Sequence, residues 1–473
     1  MKKILIIGTL AFLICDLYSQ TLIGTSYNPE ATANHNQRKI VRDSSENIYV
    51  VFTDTANQES IIKGVKYDKS SGLWNNAIIL FNGKNPTLSI SKKGQIHLTY
   101  ESNDSISRIA HSSTYDFNVW TPSVCLSDSS KISILPVADV DSSGKLNVLW
   151  IEKNGIIDNS LIYAMVTKET LTQRANILAK HKINDIAIAN HLQYVNDELF
   201  FAIQYNVDSI LFLRTNNNMS SFDTLFEAKG SQPCISYNSF FDVEFPDNNM
   251  TRFLYIDNSG NLIEATYDFS LSTSYSTQLL SNAIDYVCID DLALPIGYSF
   301  LVLKNDNLYH GFSYGGPVFG WSTFLDTIMS NPINPSIAYK TFNFFNIDYI
   351  WMENAGTYYN IYYKRDSKHI WFGVNDLEKD KGFSIIGYPN PFSELLTIKL
   401  SVSDIANNPI IKIYNSNAQL VKLLEPLSSS NKEYEYQWNG LNQKGEKANS
   451  GIYLITCVVG KKTCVRKVAY IRR

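Results

Sequence analysis

The amino-acid sequence predicts an all-β protein, a seven-bladed β-propeller followed by a small C-terminal β-sandwich. Three observations support this prediction. A strand–turn–strand pattern returns seven times at a nearly constant interval, and a charged segment separates the last repeat from a stretch with another pattern. No long segment beyond the N-terminus has helical periodicity. The 473 residues are 13% aromatic and 18% charged, which suits many short, half-buried strands.

The N-terminus has the composition of a secretory signal peptide. Two lysines precede an apolar run that ends at Cys15 and is too short to cross a bilayer. Ser19 is the small residue expected before a cleavage site, so we predict that residues 1–19 are removed and that the mature chain begins at Gln20. Lipid attachment at Cys15 is disfavoured because Ile14 stands where a lipobox needs Gly, Ala or Ser.

The repeat is clearest over residues 85–101, NPTLSISKKGQIHLTYE. A short apolar run enters a tight turn, and a second strand of alternating apolar residues ends at a carboxylate. The seven units are residues 38–54, 85–101, 135–152, 185–205, 232–257, 287–304 and 334–353. Their last residues, here called the closing residues, are spaced by 47 to 53 positions, which indicates one structural unit copied seven times.

Each unit is followed by a third alternating strand and a weaker fourth strand. Trp74, Trp120, Trp321 and Trp371 introduce the fourth strand in four repeats. Four short strands in about 50 residues match one propeller blade, whose faces pack against neighbouring blades. We therefore predict a propeller over residues 20–373; the regular interval argues against a pair of β-sandwiches.

A charged linker, NDLEKDK, lies in residues 374–382 and precedes a compact segment with its own pattern. Residues 383–473 contain YPNPF, then IKIYNSNAQLVK, then WNGLNQKGEKANSGIYLI, and finally KVAYI. Short strands separated by turns predict a small antiparallel β-sandwich of about 90 residues.

In order and spacing, these C-terminal motifs resemble the type A C-terminal sorting domain of cargo proteins of the type IX secretion system. The matching residues are Pro389, Asn390, Pro391, Trp438, Gly440, Gly451 and Tyr453. Ala418 departs from the pattern, because the family usually has Gly there. The resemblance implies recognition of this domain by the outer-membrane secretion machinery, and release or attachment at the outer surface of a Gram-negative bacterium.

The first 373 residues more loosely resemble sialidase-like and BNR-type β-propellers. The Asp-box of those proteins, S-x-D-x-G-x-x-W, has degraded counterparts in DKSSGLW at residues 68–74 and TYDFNVW at residues 114–120. The resemblance implies a shared blade architecture and does not extend to chemistry.

One pair of cysteines is spaced for a disulfide. Cys457 and Cys464 would face each other across a hairpin with a two-residue turn, within the Cα separation that a disulfide needs. Cys125, Cys234 and Cys288 lack the CxxC spacing of a metal site, and we interpret them as small core residues.

The candidate ligand contacts come from the repeat alignment. The ends of second strands share a propeller face with the starts of first strands, where ligands usually bind. The closing residues Asp54, Glu101, Glu152, Tyr205, Asp257, Lys304 and Glu353 are therefore the candidate binding set. Because the acid recurs in five repeats, a scaffold role such as accepting hydrogen bonds from turns is favoured over ligand binding.

Composition and motifs argue against several functional classes. Charge is nearly balanced, with 41 Lys+Arg and 45 Asp+Glu, so nucleic acid is not an expected partner. The histidines have no metal-ligand spacing, no cofactor is expected, and GxSxG, P-loop and HExxH motifs are absent. We predict a non-catalytic module for adhesion or for binding a glycan or protein. The alternative is a glycosidase-like enzyme that uses two facial carboxylates about 5–10 Å apart.

Overall fold

A computed structural model describes residues 20–470 with gaps at 142, 156–157, 191–197, 217–220, 237–249, 269–271, 282–283, 290–296, 315–321, 339–346, 367–383, 389–391, 402–408, 416–419, 431–432, 450 and 460–461. The described residues form strands and turns and contain no helix. The all-β prediction is therefore confirmed for this part of the chain.

The strands before residue 182 are β1 (Thr21–Ser26), β2 (Ile40–Arg42), β3 (Ile48–Ala56), β4 (Glu59–Asp68), β5 (Leu73–Trp74), β6 (Ile78–Ile90), β7 (Ile96–Ser102), β8 (Arg108–Thr114), β9 (Val124–Cys125), β10 (Ile132–Val140), β11 (Leu146–Lys153), β12 (Asn159–Thr167) and β13 (Thr170–His181). Then follow β14 (Ile183–Asn190), β15 (Glu198–Tyr205), β16 (Ser209–Asn216), β17 (Phe222–Ser236), β18 (Met250–Asp257), β19 (Leu262–Asp268), β20 (Thr273–Leu280), β21 (Ile284–Ile289), β22 (Gly297–Lys304), β23 (Asn307–Tyr314), β24 (Ser322–Ser330), β25 (Ile333–Ile337), β26 (Ile347–Asn354) and β27 (Tyr359–Asp366). The C-terminal strands are β28 (Ser384–Tyr388), β29 (Leu396–Ser401), β30 (Ile411–Asn415), β31 (Leu420–Leu424), β32 (Ser428–Ser430), β33 (Glu433–Trp438), β34 (Gly451–Val459) and β35 (Lys462–Tyr470).

The chain divides into two compact units. The first unit is Met1–Ser313 with Thr323–Ser367, and the second is Tyr314–Ser322 with Lys368–Arg473. In the first unit, each predicted strand–turn–strand repeat contains two strands that lie next to each other in a sheet. The strand that follows in sequence lies beside the second of these two strands. The sheet orders are β2-β3-β4-β6-β7-β8-β9, β10-β11-β12-β13, β14-β15-β16-β17-β18-β19-β20, β21-β22-β23-β24 and β1-β27-β26-β25.

Two long strands join successive repeats. The first part of β6 pairs with β4, as in Ile62↔Phe81, and its last part pairs with β7, as in Leu88↔Leu98. β17 does the same between β16 and β18. The fourth strand of one repeat thus continues directly into the first strand of the next, whereas the strand that Trp74 was expected to introduce is the two-residue β5.

The last repeat takes a strand from the N-terminus. β1 pairs antiparallel with β27, with Leu22 opposite Tyr362 and Thr25 opposite Asn360. One core cluster accordingly contains Ile23 together with Phe52 of the first repeat and Ile350 of the last. The fourth strand expected near Trp371 lies outside the described residues, and β1 occupies the position beside β27.

The aromatic residues that precede closing acids are buried. Trp150 and Trp351 have no exposed surface, and Tyr255 is 9% exposed. Trp150 packs in a cluster with Ile109 of the preceding repeat. Their burial therefore supports a role in packing between repeats.

A β-bulge interrupts the start of most first strands. Asn85, Leu135, Gln232 and Asn334 have φ between 46° and 53° at these positions, and each is followed by proline. The pairing register shifts there, for example between Lys84 and Thr87. A bulge frees backbone groups from the sheet ladder, so these groups need other partners.

The described residues of the second unit form two four-stranded sheets, β28-β29-β33-β32 and β31-β30-β34-β35. Residues from both sheets share one core, in which Trp438 packs edge-on against Tyr453 with ring centroids 4.8 Å apart. Gly440 has φ +74°, and a Cβ atom there would lie 2.5 Å from the Tyr470 ring, so this position requires glycine.

The remaining predictions for this unit concern Gly451, the pair Cys457 and Cys464, and residues 389–391. Gly451 begins β34. Cys457 lies opposite Cys464 in the β34–β35 pair, as the hairpin prediction required, and the disulfide itself stays a prediction. Pro389, Asn390 and Pro391 lie outside the described residues.

Candidate functional site

The first closing residue, Asp54, is bound within the first unit. Its side chain is 4% exposed, lies 2.6 Å from Lys63 Nζ, and accepts a 2.7 Å hydrogen bond from the backbone N–H of Tyr27. Burial on its own would raise the pKa of Asp54, but these interactions hold it below its usual value. Asp54 therefore remains ionised and anchors the end of β1.

Glu101 and Glu152 are buried as well. Glu101 accepts hydrogen bonds from the backbone N–H of Leu135, at 2.8 Å, and from Asn85 Nδ2, at 2.7 Å. Glu152 binds Lys131 Nζ at 2.8 Å and Arg174 Nη2 at 2.6 Å. Because Leu135 is the bulged residue of the next repeat, Glu101 supplies a partner that the bulge needs.

The other four closing residues also have partners in their own vicinity. The Tyr205 ring packs edge-on against His181, Asp257 accepts the N–H of Asn261, Lys304 Nζ donates to Ser281 O, and Glu353 accepts from Trp351 Nε1. These contacts suit the scaffold interpretation. Whether any closing residue also touches a ligand stays a prediction.

The segment between β1 and β2, residues 27–39 and here called the crossing segment, contacts the first strands of five other repeats. Its side chains donate hydrogen bonds to backbone carbonyls of those strands: Lys39 Nζ to Pro86 at 2.7 Å, Gln37 Nε2 to Pro136 at 2.9 Å, Asn36 Nδ2 to Pro233 at 2.9 Å, His35 Nδ1 to Val287 at 2.7 Å, and Thr32 Oγ1 to Asn334 at 2.7 Å. Four of these carbonyls belong to the bulges. The crossing segment thus satisfies groups that the bulges release from the sheets.

His35 also connects the crossing segment to a sixth repeat, through an ion pair with Asp185. Its Nε2 lies 2.5 Å from Asp185 Oδ2 at the start of β14, and its Nδ1 faces the carbonyl of Val287. Neither oxygen can donate a hydrogen bond, so both ring nitrogens carry protons and the ring is an imidazolium. Burial would lower the pKa of His35, but Asp185 raises it well above its usual value.

Cys234 lies next to this ion pair. Its Sγ is 3.2 Å from His35 Nδ1, so cysteine, histidine and carboxylate form a row. The thiol is fully buried, and burial raises its pKa, which disfavours the reactive thiolate. Both ring nitrogens of His35 already donate hydrogen bonds, so His35 cannot act as the base that accepts the proton of the Cys234 thiol. The row is therefore suited to holding the crossing segment in place.

A pocket of about 260 Å³ opens beside the His35–Asp185 pair. Among the described residues, its walls are formed by Asn34, His35, Asn36, Gln37, Leu135, Val137, Asn184, Asp185, Ile186, Gln204 and Gln232. One wall is the crossing segment, and the other comes from the middle of β10, the first half of β14, the second half of β17 and the end of β15. The walls are rich in amides, which donate and accept hydrogen bonds as sugar hydroxyls do.

The pocket contains none of the seven closing residues, although Gln204 immediately precedes Tyr205. Gln204 Oε1 accepts the backbone N–H of Gln232, the bulged residue of the next repeat, at 3.1 Å. Gln204 thus has the role that Glu101 has two repeats earlier. Sequence spacing gave no signal for His35 or Asp185, which are 150 residues apart.

A second buried polar cluster lies on β7 and β8. His97 Nδ1 is 3.1 Å from His111 Nε2, and His111 Nδ1 is 3.6 Å from the carboxylate of Glu169. Burial, with His111 nearby, lowers the pKa of His97 to about 3, and burial lowers that of His111 to about 4 although Glu169 opposes this. In the described part of the chain, no group of three potential ligands is arranged to hold a metal ion.

This cluster predicts acid destabilisation of the first unit. Between pH 6.5 and about 4 the unfolded chain binds protons at both histidines and the folded chain does not, so stability falls as the pH falls. Each histidine contributes up to about 1.4 kcal/mol per pH unit in this range. Urea unfolding from pH 7 to 4 should show a smaller loss for His97→Gln than for the wild type. Equal losses in the two proteins would contradict the assignment.

The comparisons with known proteins concern both units. Residues 393–462 match the family model of the FlgD Ig-like domain. Solved structures similar to this chain include a polysaccharide lyase described as an ulvan lyase bound to -[GlcA(1-4)Rha3S]-, with 11% identity, a TM-score of 0.52 and coverage of 73% of this chain and 96% of the other. The BP39L lectin from Burkholderia pseudomallei has 14% identity and a TM-score of 0.52, with coverage of 68% and 94%.

A Hadza microbial sialidase is also among the similar structures, with 8% identity, a TM-score of 0.43 and coverage of 60% of this chain and 66% of the other. No curated protein matches the chain. At these identities the lyase and the lectin show a β-propeller-like fold for this chain and no more. No described segment is a helix long and apolar enough to cross a membrane.

Proposed function

We propose that the first unit is a closed seven-bladed β-propeller that binds glycans without catalysis, at or beyond the cell surface. Closure is supported by β1, which joins the N-terminus to the sheet of the last repeat, and by the crossing segment, which contacts the first strands of the other repeats. The observation that carries the glycan function is the amide-rich pocket between the crossing segment and those strands. The propeller-like lectin and the saccharide-bound lyase support the same class of ligand.

A glycan array probed with residues 20–473 tests this function. Binding that is lost in Asn184→Ala, a substitution in the pocket wall, is the expected result, because an amide in the wall would pair with sugar hydroxyls. Asn118→Ala is a matched control in an exposed turn and should bind like the wild type. If Asn184→Ala bound the array glycans as well as the wild type does, the assignment of the site would be overturned.

A carbohydrate-active enzyme is the alternative, with carboxylates of the propeller face as its catalytic pair. Incubating the same protein with the glycans that it binds should release no product. Turnover that disappears in Glu101→Gln or Glu152→Gln would establish the enzyme instead. In the structure both carboxylates are occupied by partners within the first unit, which favours binding.

Export is the second part of the proposal. The signal peptide would direct the chain across the inner membrane, and the C-terminal domain would pass it to the type IX secretion machinery. The two-sheet architecture of the second unit supports a self-contained domain. Deleting residues 383–473 should leave the protein in the periplasm, and unchanged delivery to the cell surface would refute the sorting role.

A further inference from the structure

We propose that the pocket takes a single neutral sugar unit and discriminates against acidic sugars, an inference that rests on the proposed glycan function. Two ionisable side chains, His35 and Asp185, are among the described residues of its walls, and no lysine or arginine is. Since their opposite charges lie 2.5 Å apart, they cancel each other. Among the described wall residues, no side chain therefore offers a ligand an uncompensated positive charge.

The two other cations of the crossing segment, Arg38 and Lys39, are not among the described lining residues of the pocket and already have partners in the first unit. Arg38 Nη1 lies 3.1 Å from Asp139 Oδ1 and donates to the carbonyl of Ala138 at 2.8 Å. Lys39 Nζ donates to Gln37 Oε1 at 2.8 Å and to the carbonyl of Pro86 at 2.7 Å. Neither side chain is among the described lining residues, so neither would contact a bound carboxylate or sulfate directly.

Within this pair the carboxylate is the more accessible group, since the Asp185 side chain is 21% exposed and that of His35 is 6% exposed, so an anionic sugar would approach the carboxylate first. Placing a second negative charge beside it, away from bulk water, costs both desolvation and repulsion. A hydroxyl group instead donates to that carboxylate without either cost. The charge arrangement thus separates neutral sugars from uronic acids.

The amides of the walls are held in place before a ligand arrives. Gln37 Oε1 accepts from Lys39, and its Nε2 donates to the carbonyl of Pro136. Gln204 Nε2 donates to the carbonyl of Val207 at 2.7 Å. Fixed side chains lower the entropic cost of binding, and the geometry of the hydrogen bonds then selects the ligand.

The size of the pocket suits a ligand of one sugar ring. Its volume of about 260 Å³ lies below the range of about 300–1,000 Å³ that is typical of sites for drug-sized ligands. A terminal sugar residue, or one that projects from a chain, fits such a site better than several consecutive residues do.

Isothermal titration of residues 20–473 with matched probes tests the inference. The probes are the methyl glycosides of glucose, galactose and mannose and the corresponding uronic acids at pH 7. At least one neutral glycoside should bind, and its uronic acid should bind at least tenfold more weakly, equivalent to about 1.4 kcal/mol. The variant Asn184→Lys, which adds a cation to the wall, should narrow or reverse the preference, while Asn118→Lys in an exposed turn should not.

The outcomes separate this inference from the function on which it rests. A wild-type protein that binds a uronic acid as tightly as its neutral partner would overturn the inference and leave glycan binding in place. A wild-type protein that binds no probe and no array glycan would overturn both. Circular dichroism of Asn184→Lys identifies a folding defect, and the wild-type comparison decides the matter even if that variant does not fold.

Discussion

Replacing Asp348 with alanine is expected to lower the free energy of unfolding of the first unit by about 3–5 kcal/mol. Asp348 on β26 and Arg42 on β2 form an ion pair of 2.6 Å, and both side chains are completely buried. Arg365 Nε lies 2.8 Å from the other carboxylate oxygen, and Tyr363 donates a 2.6 Å hydrogen bond to it. The substitution would leave the guanidinium of Arg42 buried without this partner, which is the costly way to break such a pair.

The matched control is Asp223→Ala, which removes the carboxylate of an exposed ion pair. Asp223 lies 2.8 Å from Arg214, with the side chains 59% and 30% exposed. Such pairs contribute at most about 1 kcal/mol, so urea unfolding followed by tryptophan fluorescence should detect little change. Similar losses in both variants would show that Asp348 does not stabilise the contact between the first and last repeats.

The His35→Ala variant is expected to lose stability by about 1–3 kcal/mol and glycan binding by at least tenfold. The substitution removes the partner of Asp185 and the donor to the Val287 carbonyl, and it loosens one wall of the pocket. His181→Ala is the matched control, because the His181 ring packs edge-on against Tyr205 away from the pocket walls. That control should keep wild-type binding.

The pH dependence of the His35→Ala effect has a defined sign. Since the folded-state pKa of His35 is raised, its stabilisation is fully present below pH 6.5 and is lost as the pH rises through the folded-state pKa. The stability difference between the wild type and His35→Ala should therefore shrink as the pH rises above 6.5. This is opposite to the behaviour expected of His97 and His111. A difference that grows in alkaline solution would show that His35 is not held as an imidazolium.

Local patterns were sufficient to predict the repeating strands. Alternating apolar residues and turn residues act over a few positions, so the pairs at residues 85–101 and 135–152 were predicted from sequence and are present as β6–β7 and β10–β11. The carboxylates at the ends of second strands were also recognised. Their partners were not, because Lys131 or the N–H of Leu135 approaches them only after the repeats have packed.

The pocket depends on contacts between distant parts of the chain. The crossing segment has no periodicity that would distinguish it from an ordinary loop, and its partners lie up to 320 residues away. Glutamine at position 204 interrupts no sequence pattern, yet it supports the bulge at Gln232 and lines the pocket. A residue such as Gln204 can be identified only in the folded structure, where the first strands of different repeats lie close together.

The sequence by itself determined the alternation of strands and turns, the repetition of the strand–turn–strand pattern and the distinct C-terminal segment, because each depends on side-chain periodicity and turn chemistry between near neighbours. Only the tertiary structure decided that β1 pairs with β27, that the crossing segment binds the bulge carbonyls, and that His35 meets Asp185 beside the pocket. These features arise from hydrogen bonds and ion pairs that form across the packed repeats, where distance along the chain carries no information.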